Sequence, residues 1–190
     1  MVIAALLILP LHVRASNLIS NASVETNSSG QPTGWSTSAW GTNNASHAYV
    51  GSGHTGSKSL KVEMTTHTDG DAKWMHDEVP VSPDTTYTYT SYYKSSVATE
   101  IDLQYRNTSN SLSYAYVQSV SAASSDWTKV TATFTTPTNV DKVVVMHILT
   151  GPGWLQTDDF TLEESTSPAT GNNLLANPSF EDADNGAPES

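Results

Sequence analysis

The chain has no cysteine, few basic residues, little charge of either sign and no long apolar run. Without cysteine there is no disulfide framework, no thiol nucleophile and no Cys-based zinc site. Eight Lys and Arg against 19 Asp and Glu give a formal net charge of -11. Nucleic acid is thereby excluded as a partner, because the positive charges that neutralise phosphates are missing. The longest apolar stretch, residues 1–11, falls well short of the ~20 residues a membrane helix requires, so no membrane partner is expected. Charged residues make up 14% of the chain, where about a quarter is usual. Ser, Thr and Asn take their place, and these suit strand surfaces and loops better than helix interiors. Phe is scarce too: three, against five Trp and eight Tyr. That balance favours rings that pack on one side and meet water on the other.

What is present falls into unequal parts. Residues 1–15 (MVIAALLILPLHVRA) read as the later part of a secretory signal peptide cut after Ala15, with a buried N-terminal strand as the alternative. Secretion without cysteine fits a bacterial exoprotein. Residues 17–25 read NLISNASVE and residues 173–181 read NLLANPSFE, and at the same offset Gly30 and Pro32 meet Gly186 and Pro188. The chain is therefore expected to hold one complete unit over residues 16–164, a small-residue linker over 165–172, and the opening of a second unit over 173–190. Within the unit, period-2 segments recur: 59–64 (SLKVEM), 85–94 (TTYTYTSYYK), 100–106 (EIDLQYR), 128–134 and 158–163. Residues 142–149 (KVVVMHIL) are nearly continuous in apolar character, as a central strand would be. Many short strands with turn residues between them predict an all-β fold, a β-sandwich of jelly-roll type.

No catalytic signature stands out. There is no Gly-x-Ser-x-Gly elbow, no His-Glu-x-x-His and no phosphate-cradling glycine loop, and the six His are scattered singly. The acidic residues Asp69, Asp71, Asp77, Glu78, Glu100 and Asp102 show no spacing that marks a hydrolytic pair, so no enzymatic activity is assigned to this unit.

A set of segments in order carries a specific likeness. It comprises NLISNASVE, Gly34-Trp35, residues 56–62 (GSKSLKV), 81–87 (VSPDTTY) with Tyr93-Lys94, 126–130 (DWTKV) with 134–137 (FTTP), and 158–162 (DDFTL). Together they resemble a carbohydrate-binding module of the family 4/9/22 type, over almost all of residues 17–162. The resemblance implies a non-catalytic module, in tandem with a second one, on a secreted polysaccharide-degrading enzyme. The implied ligand is a polysaccharide or oligosaccharide, with xylan or a β-glucan as the best guess. The alternative is a jelly-roll spacer of a surface or adhesion protein, with no glycan site.

The resemblance also implies a structural Ca²⁺ held by the Glu25 and Asp158 carboxylates, with carbonyls near Ser23 and Lys58 completing the set. Asp158 shares its strand parity with Phe160 and Leu162, so it is expected to point inward, where an unpaired carboxylate is costly and a hard cation would relieve it. Otherwise Glu25 pairs with Lys58 and Asp158 caps a turn. For the glycan, related modules carry a cleft Trp followed by an acidic hydrogen-bonding residue, which implies Trp74 with Asp77 and Glu78; the alternative is that Trp74 covers the sheet edge. If Ile101, Leu103 and Tyr105 point inward, Gln104 and Arg106 line the outer face. If Val144, Met146 and Ile148 point inward, His147 faces out, where related modules place a contacting His. Tyr92 shares the outward parity of Thr90 and Lys94, and Tyr116 shares with Tyr114 a face that is either core or cleft. Trp35 and Trp127 match framework positions and are expected in the core. Trp40 and Trp154, in Gly-rich loops, are a loop-tip alternative to the face cleft.

Overall fold

The computed structural model describes residues 16–165. The expected signal peptide, most of the linker and the second unit lie outside the described residues. Among the described residues thirteen strands and no helix follow one another: β1 (Asn27–Ser28), β2 (Gln31–Pro32), β3 (Trp35–Trp40), β4 (Asn43–Val50), β5 (Ser59–His67), β6 (Asp71–His76), β7 (Val79–Pro80), β8 (Thr86–Ser95), β9 (Thr99–Asn107), β10 (Leu112–Val120), β11 (Ala123–Thr135), β12 (Val140–Ile148) and β13 (Gly153–Glu164). Each period-2 segment of the sequence is one of these strands.

Two antiparallel sheets face each other. One has the order β11-β8-β13-β5-β4 and the other β10-β9-β12-β7. The β3-β6 pair extends the second sheet, because Ala72 and Leu149 exchange both backbone hydrogen bonds (3.0 and 2.9 Å) and Val145 N–H donates to His76 Nε2 (3.0 Å). β6 and then β7 therefore occupy the same edge of β12, giving a broad sheet from β10 to β3. The fold is a β-sandwich, as the strand spacing predicts.

The core forms where the two inner faces meet, and period 2 explains its membership. β8 alternates perfectly, with Tyr87, Tyr89, Ser91, Tyr93 and Ser95 buried, and β9 does the same through Thr99, Ile101, Leu103 and Tyr105. Leu60, Val62 and Met64 come from β5, and Val143 and Val145 from β12. β12 is buried on both faces: Val144, Met146 and Ile148 form a separate small cluster with Met75 on the far side of the sheet. Trp35 is half-buried against this core, its ring 4.4 Å from that of Phe160, as its framework position predicts.

Candidate functional site

The side of the broad sheet that faces away from the sandwich core carries a groove of 450 Å³. β6 supplies its floor through strict alternation. Ala72, Trp74 and His76 turn to the core, so Asp71, Lys73 and Met75 turn to the groove. From β3, Ser38 and Trp40 lie opposite Lys73 and Asp71. From β9 come Asp102 and Gln104, and from β12 Met146 and Ile148. Tyr114 stands opposite Gln104 and Tyr116 opposite Asp102 on β10, which forms the other rim. The four large apolar side chains left most exposed among the described residues are Trp40 (60%), Leu112 (45%), Tyr114 (64%) and Tyr116 (60%), and all four belong to this one sheet. They flank the groove, Trp40 on the β3 rim and Leu112, Tyr114 and Tyr116 on the β10 rim.

The floor is charged and ordered. Asp71 accepts both the Trp40 indole N–H and the Lys73 ammonium, so one nearly buried carboxylate fixes the ring on the rim and neutralises the lysine below it. Asp102 is different: its Oδ1 is buried and has no hydrogen-bond partner. Burial, then the charges of Glu100 and Asp71, push its carboxyl up to about 6, with Lys73 pulling the other way. Gln104 Oε1 accepts from the Tyr114 hydroxyl (3.4 Å).

The expected site residues do not all gather here. Gln104 lines the groove and Tyr116 stands on its rim. Arg106 lies farther along the same strand face. Its Nε donates to both oxygens of Glu78 (2.7 and 2.8 Å) and its Nη1 to Asn110, so it is engaged within the protein, as is Glu78. The Arg106 hydrogen bonds and charge outweigh desolvation and hold the Glu78 carboxyl below its usual range. Asp77 is exposed and lies outside the groove lining.

Several expectations are overturned. Trp74 is 6% exposed, packs in the core and donates its indole N–H to Lys61 O (3.1 Å), so it offers no open ring face. His147 is 5% exposed and points inward, its Nε2 2.7 Å from Thr99 Oγ1 and its ring edge-on to Tyr93. The β12 parity is the reverse of that expected, because Val145 pairs with the core residue Leu103 and His147 follows Val145 in facing. Desolvation holds its imidazole neutral, with its titration moved down to about 3. Tyr92 is on the other sheet, stacked at 3.7 Å on His54, and cannot share the groove.

Trp127, expected in the core, is half-buried on the outer side of that same sheet under Lys94 Nζ (5.5 Å). Trp154 sits there under Lys61 Nζ (5.8 Å), so it does not join Trp40 at one loop tip. Trp127 and Trp154 are capped by lysines, whereas no such cap covers Trp40, Tyr114 or Tyr116. Sequence reading undervalued Trp40, Asp71, Lys73 and Asp102. The alternation of residues 71–76 (DAKWMH) was the available signal, since Asp and Lys cannot both face a sandwich core.

Glu25 and Asp158 both reach the loop of residues 51–58, by a route the parity argument did not foresee. A β-bulge between Asp158 and Thr161, with Asp159 at φ +49°, reverses the facing of β13. Asp158 therefore lies opposite Tyr92 on the outer side and not beside Phe160 and Leu162. It is nonetheless 0% exposed, because the loop of residues 51–58 covers it. Asp158 accepts three backbone N–H groups, from His54 (2.7 Å), Thr55 (3.3 Å) and Asp159 (2.7 Å). Glu25 accepts three donors from the same loop: Ser57 N–H (2.9 Å), Ser57 hydroxyl (2.9 Å) and Lys58 N–H (2.7 Å). These outweigh desolvation and hold the Glu25 carboxyl low. A Cβ at Gly56 (φ +64°) would fall 2.5 Å from Glu25 Oε1. Among the described residues no three His, Asp or Glu side chains cluster as a metal site, so a cation here would need backbone carbonyls as well.

With this geometry in place, the comparisons with known proteins fall into line. Residues 16–153 match the sequence profile described as Carbohydrate binding domain (CBM 4/9). No curated protein matches the chain. Among solved structures, the CBM22-1 xylan-binding domain of Paenibacillus barcinonensis Xyn10C is similar at a TM-score of 0.57 and 14% identity, covering 79% of this chain and 95% of that one. The C-terminal family 22 carbohydrate binding module of Clostridium thermocellum Xyn10B is similar at 0.52 and 16% identity, covering 73% and 89%. The enzymatically active domain of tailspike protein 4 from Bacteriophage CBA120 is similar at 0.58 and 12% identity, covering 78% of this chain and 21% of that one. At these identities the likeness is one of fold.

Proposed function

The chain belongs to the carbohydrate binding domain family, whose profile covers residues 16–153, and we propose that it binds a single glycan chain in the groove between β10 and β3. The observation that carries this is the set of bare rings, Trp40 on one rim with Tyr114 and Tyr116 on the other, above a floor with Lys73, Asp102 and Gln104. A pyranose offers an apolar C–H face and a girdle of hydroxyls, so rings above polar groups match both of its surfaces. Xylan or a β-glucan is the proposed ligand; xylan is what the family 22 neighbour from Paenibacillus barcinonensis binds. The module acts by accumulation, holding whatever it is attached to near the polysaccharide, and a second copy would raise the effective concentration. Attachment to a secreted glycoside hydrolase and export through residues 1–15 belong to this proposal; the repeat at residues 173–181 and the apolar opening support them. Bond cleavage has no part in it. A spacer without a glycan site would have no use for three uncapped rings on facing rims.

Affinity electrophoresis against arabinoxylan, mixed-linkage β-glucan, hydroxyethylcellulose and mannan tests the reading. Retardation by one of them, lost in Trp40→Ala and Tyr114→Ala but kept in Trp127→Ala, is the expected result. Retardation that survives in the first two and is lost in the third would move the site to the outer side of the five-stranded sheet.

We also propose that Glu25 and Asp158 hold a structural Ca²⁺ with carbonyls of Ser23 and Lys58. A carboxylate offers about four acceptor positions, and three donors on each leave room for a cation. Burial and the charges of Glu25 and Asp158 both raise the Tyr49 phenol, which supports the two carboxylates facing one small space. Each is also flanked by a left-handed residue, Val24 at φ +51° and Asp159 at φ +49°. For β-branched Val24 that conformation is strained, and strain of this kind is kept where a site needs it. Bound there, Ca²⁺ would tie the first turn, the 51–58 loop and β13 together.

A further inference from the structure

Asp102 is the carboxylate on the groove lining that the protein leaves without a donor. Asp71, its neighbour on the floor, is engaged by Lys73 and Trp40, so those charges cancel. Nothing does the same for Asp102, whose Oδ1 is buried with no partner while the residue remains partly open to the groove. The groups that face it from each neighbouring element are Asp71, Lys73 and Met75 from β6, Tyr114 and Tyr116 from β10, Met146 and Ile148 from β12, and Trp40 from β3, with Glu100 two residues away on its own strand. Of these only Lys73 is cationic, and it is already paired. The cations farther along the face, Arg106 and Lys142, are directed at Glu78 (2.6 and 4.0 Å). The sugar-facing floor therefore carries one uncompensated negative charge in a partly dry site.

We propose that Asp102 sets the charge selectivity of the groove: it accepts a hydroxyl of a neutral glycan chain and turns away a chain that carries carboxylates. This rests on the groove being the glycan site. A hydroxyl donating to the ionised carboxylate forms a charge-assisted bond and relieves the missing donor. A uronate brought to the same place adds a like charge where water cannot screen it. The two ligand types must then respond to pH with opposite sign. Asp102 titrates near 6 in the free protein. Neutral chains bind more tightly as it ionises above that point, and uronate-bearing chains bind more tightly as it protonates below it.

The test is calorimetry with xylopentaose and with a glucuronic-acid-substituted xylo-oligosaccharide, at pH 5 and pH 7.5, on the wild type and on Asp102→Asn. For the wild type we expect affinity for the neutral chain to rise about fivefold between pH 5 and 7.5 and affinity for the acidic chain to fall by a similar factor. In Asp102→Asn both dependences flatten. The opposed signs in the wild type keep the test decisive even if the variant folds poorly. Parallel pH responses of the two ligands, or a response unchanged in Asp102→Asn, would overturn the charge selectivity while leaving the groove intact as the site. Binding of either ligand that survives Trp40→Ala and Tyr114→Ala would overturn the groove reading, and this inference with it.

Discussion

Trp74 and Trp40 lie on paired strands, and their different roles follow from which way each is turned. In β6 the charged Asp71 and Lys73 turn to the groove, where they pair with each other, so Trp74 is sent to the core between Ala72 and His76. Trp40 lies opposite Asp71 and shares its side. Trp74→Ala is therefore expected to cost about 3–5 kcal/mol, as for other buried aromatics, without a specific effect on ligand contacts. Trp40→Ala should change stability by no more than about 1 kcal/mol, for an exposed ring and one hydrogen bond, while removing retardation by glycan. Urea unfolding curves beside affinity gels separate the two. His147 gives a second residue-level prediction. Burial brings the titration of its folded form down to about 3, from 6.5 in the unfolded chain. The unfolded chain thus binds more protons between those values, so this histidine's contribution to stability is present above 6.5 and is lost as pH falls below it. His147→Gln should make the fall in stability between pH 7 and pH 5 less steep than in the wild type, by up to about 1.4 kcal/mol per pH unit. An identical slope in thermal melts would show that the imidazole is not held neutral.

At the scale of elements, two local irregularities shape the groove rim and the surroundings of Asp158. The turn that leads from β5 into β6 brings Gly70 (φ +86°) against the end of β3, where a Cβ would lie 1.9 Å from Trp40 O. No side chain fits there without moving the backbone that presents the rim ring. Gly70→Ala is expected to destabilise by about 1–3 kcal/mol and to weaken glycan binding more than Gly51→Ala, whose added methyl meets nothing within 4 Å. Equal affinity in the two variants would mean that Trp40 is not positioned by this turn. The bulge in β13 does the corresponding work on the other sheet. By reversing the facing at Asp158, it places a carboxylate under a loop and leaves Phe160 and Leu162 in the core. The regular alternation of residues 158–163 hides that reversal, because a single extra residue leaves the apolar pattern after it unchanged.

For the whole molecule, the sandwich places the groove and the loop over Glu25 and Asp158 on different sheets. The broad sheet presents the groove, and the five-stranded sheet carries the loop that gathers Glu25 and Asp158. If that loop takes Ca²⁺, the ion stabilises the fold by mass action, about 2.7 kcal/mol at a hundred times the dissociation constant. For a domain of this size that corresponds to a Tm rise of roughly 5–10 °C on replacing EDTA by CaCl2. The rise should vanish in Glu25→Gln and in Asp158→Asn, and glycan affinity at saturating Ca²⁺ should be unaffected in variants that remain folded. A Tm that does not respond to Ca²⁺ would leave both carboxylates satisfied by their protein hydrogen-bond donors alone.

The sequence alone determined the class of fold and most strand positions, because period-2 alternation and turn residues are local properties of the chain. It also determined that Gln104 would face away from the core, since Ile101, Leu103 and Tyr105 fix the parity of β9. Tertiary structure decided the rest. β12 is apolar on both faces, so its parity carried no information until its pairing with β9 set His147 inward. The placing of Tyr92 and Tyr116 on different surfaces depended on which sheet each strand joined, and strand order is not written in alternation. Trp40 became a rim residue only when β3 paired with β6 and β6 with β12, a juxtaposition made by backbone hydrogen bonds between segments far apart in the chain.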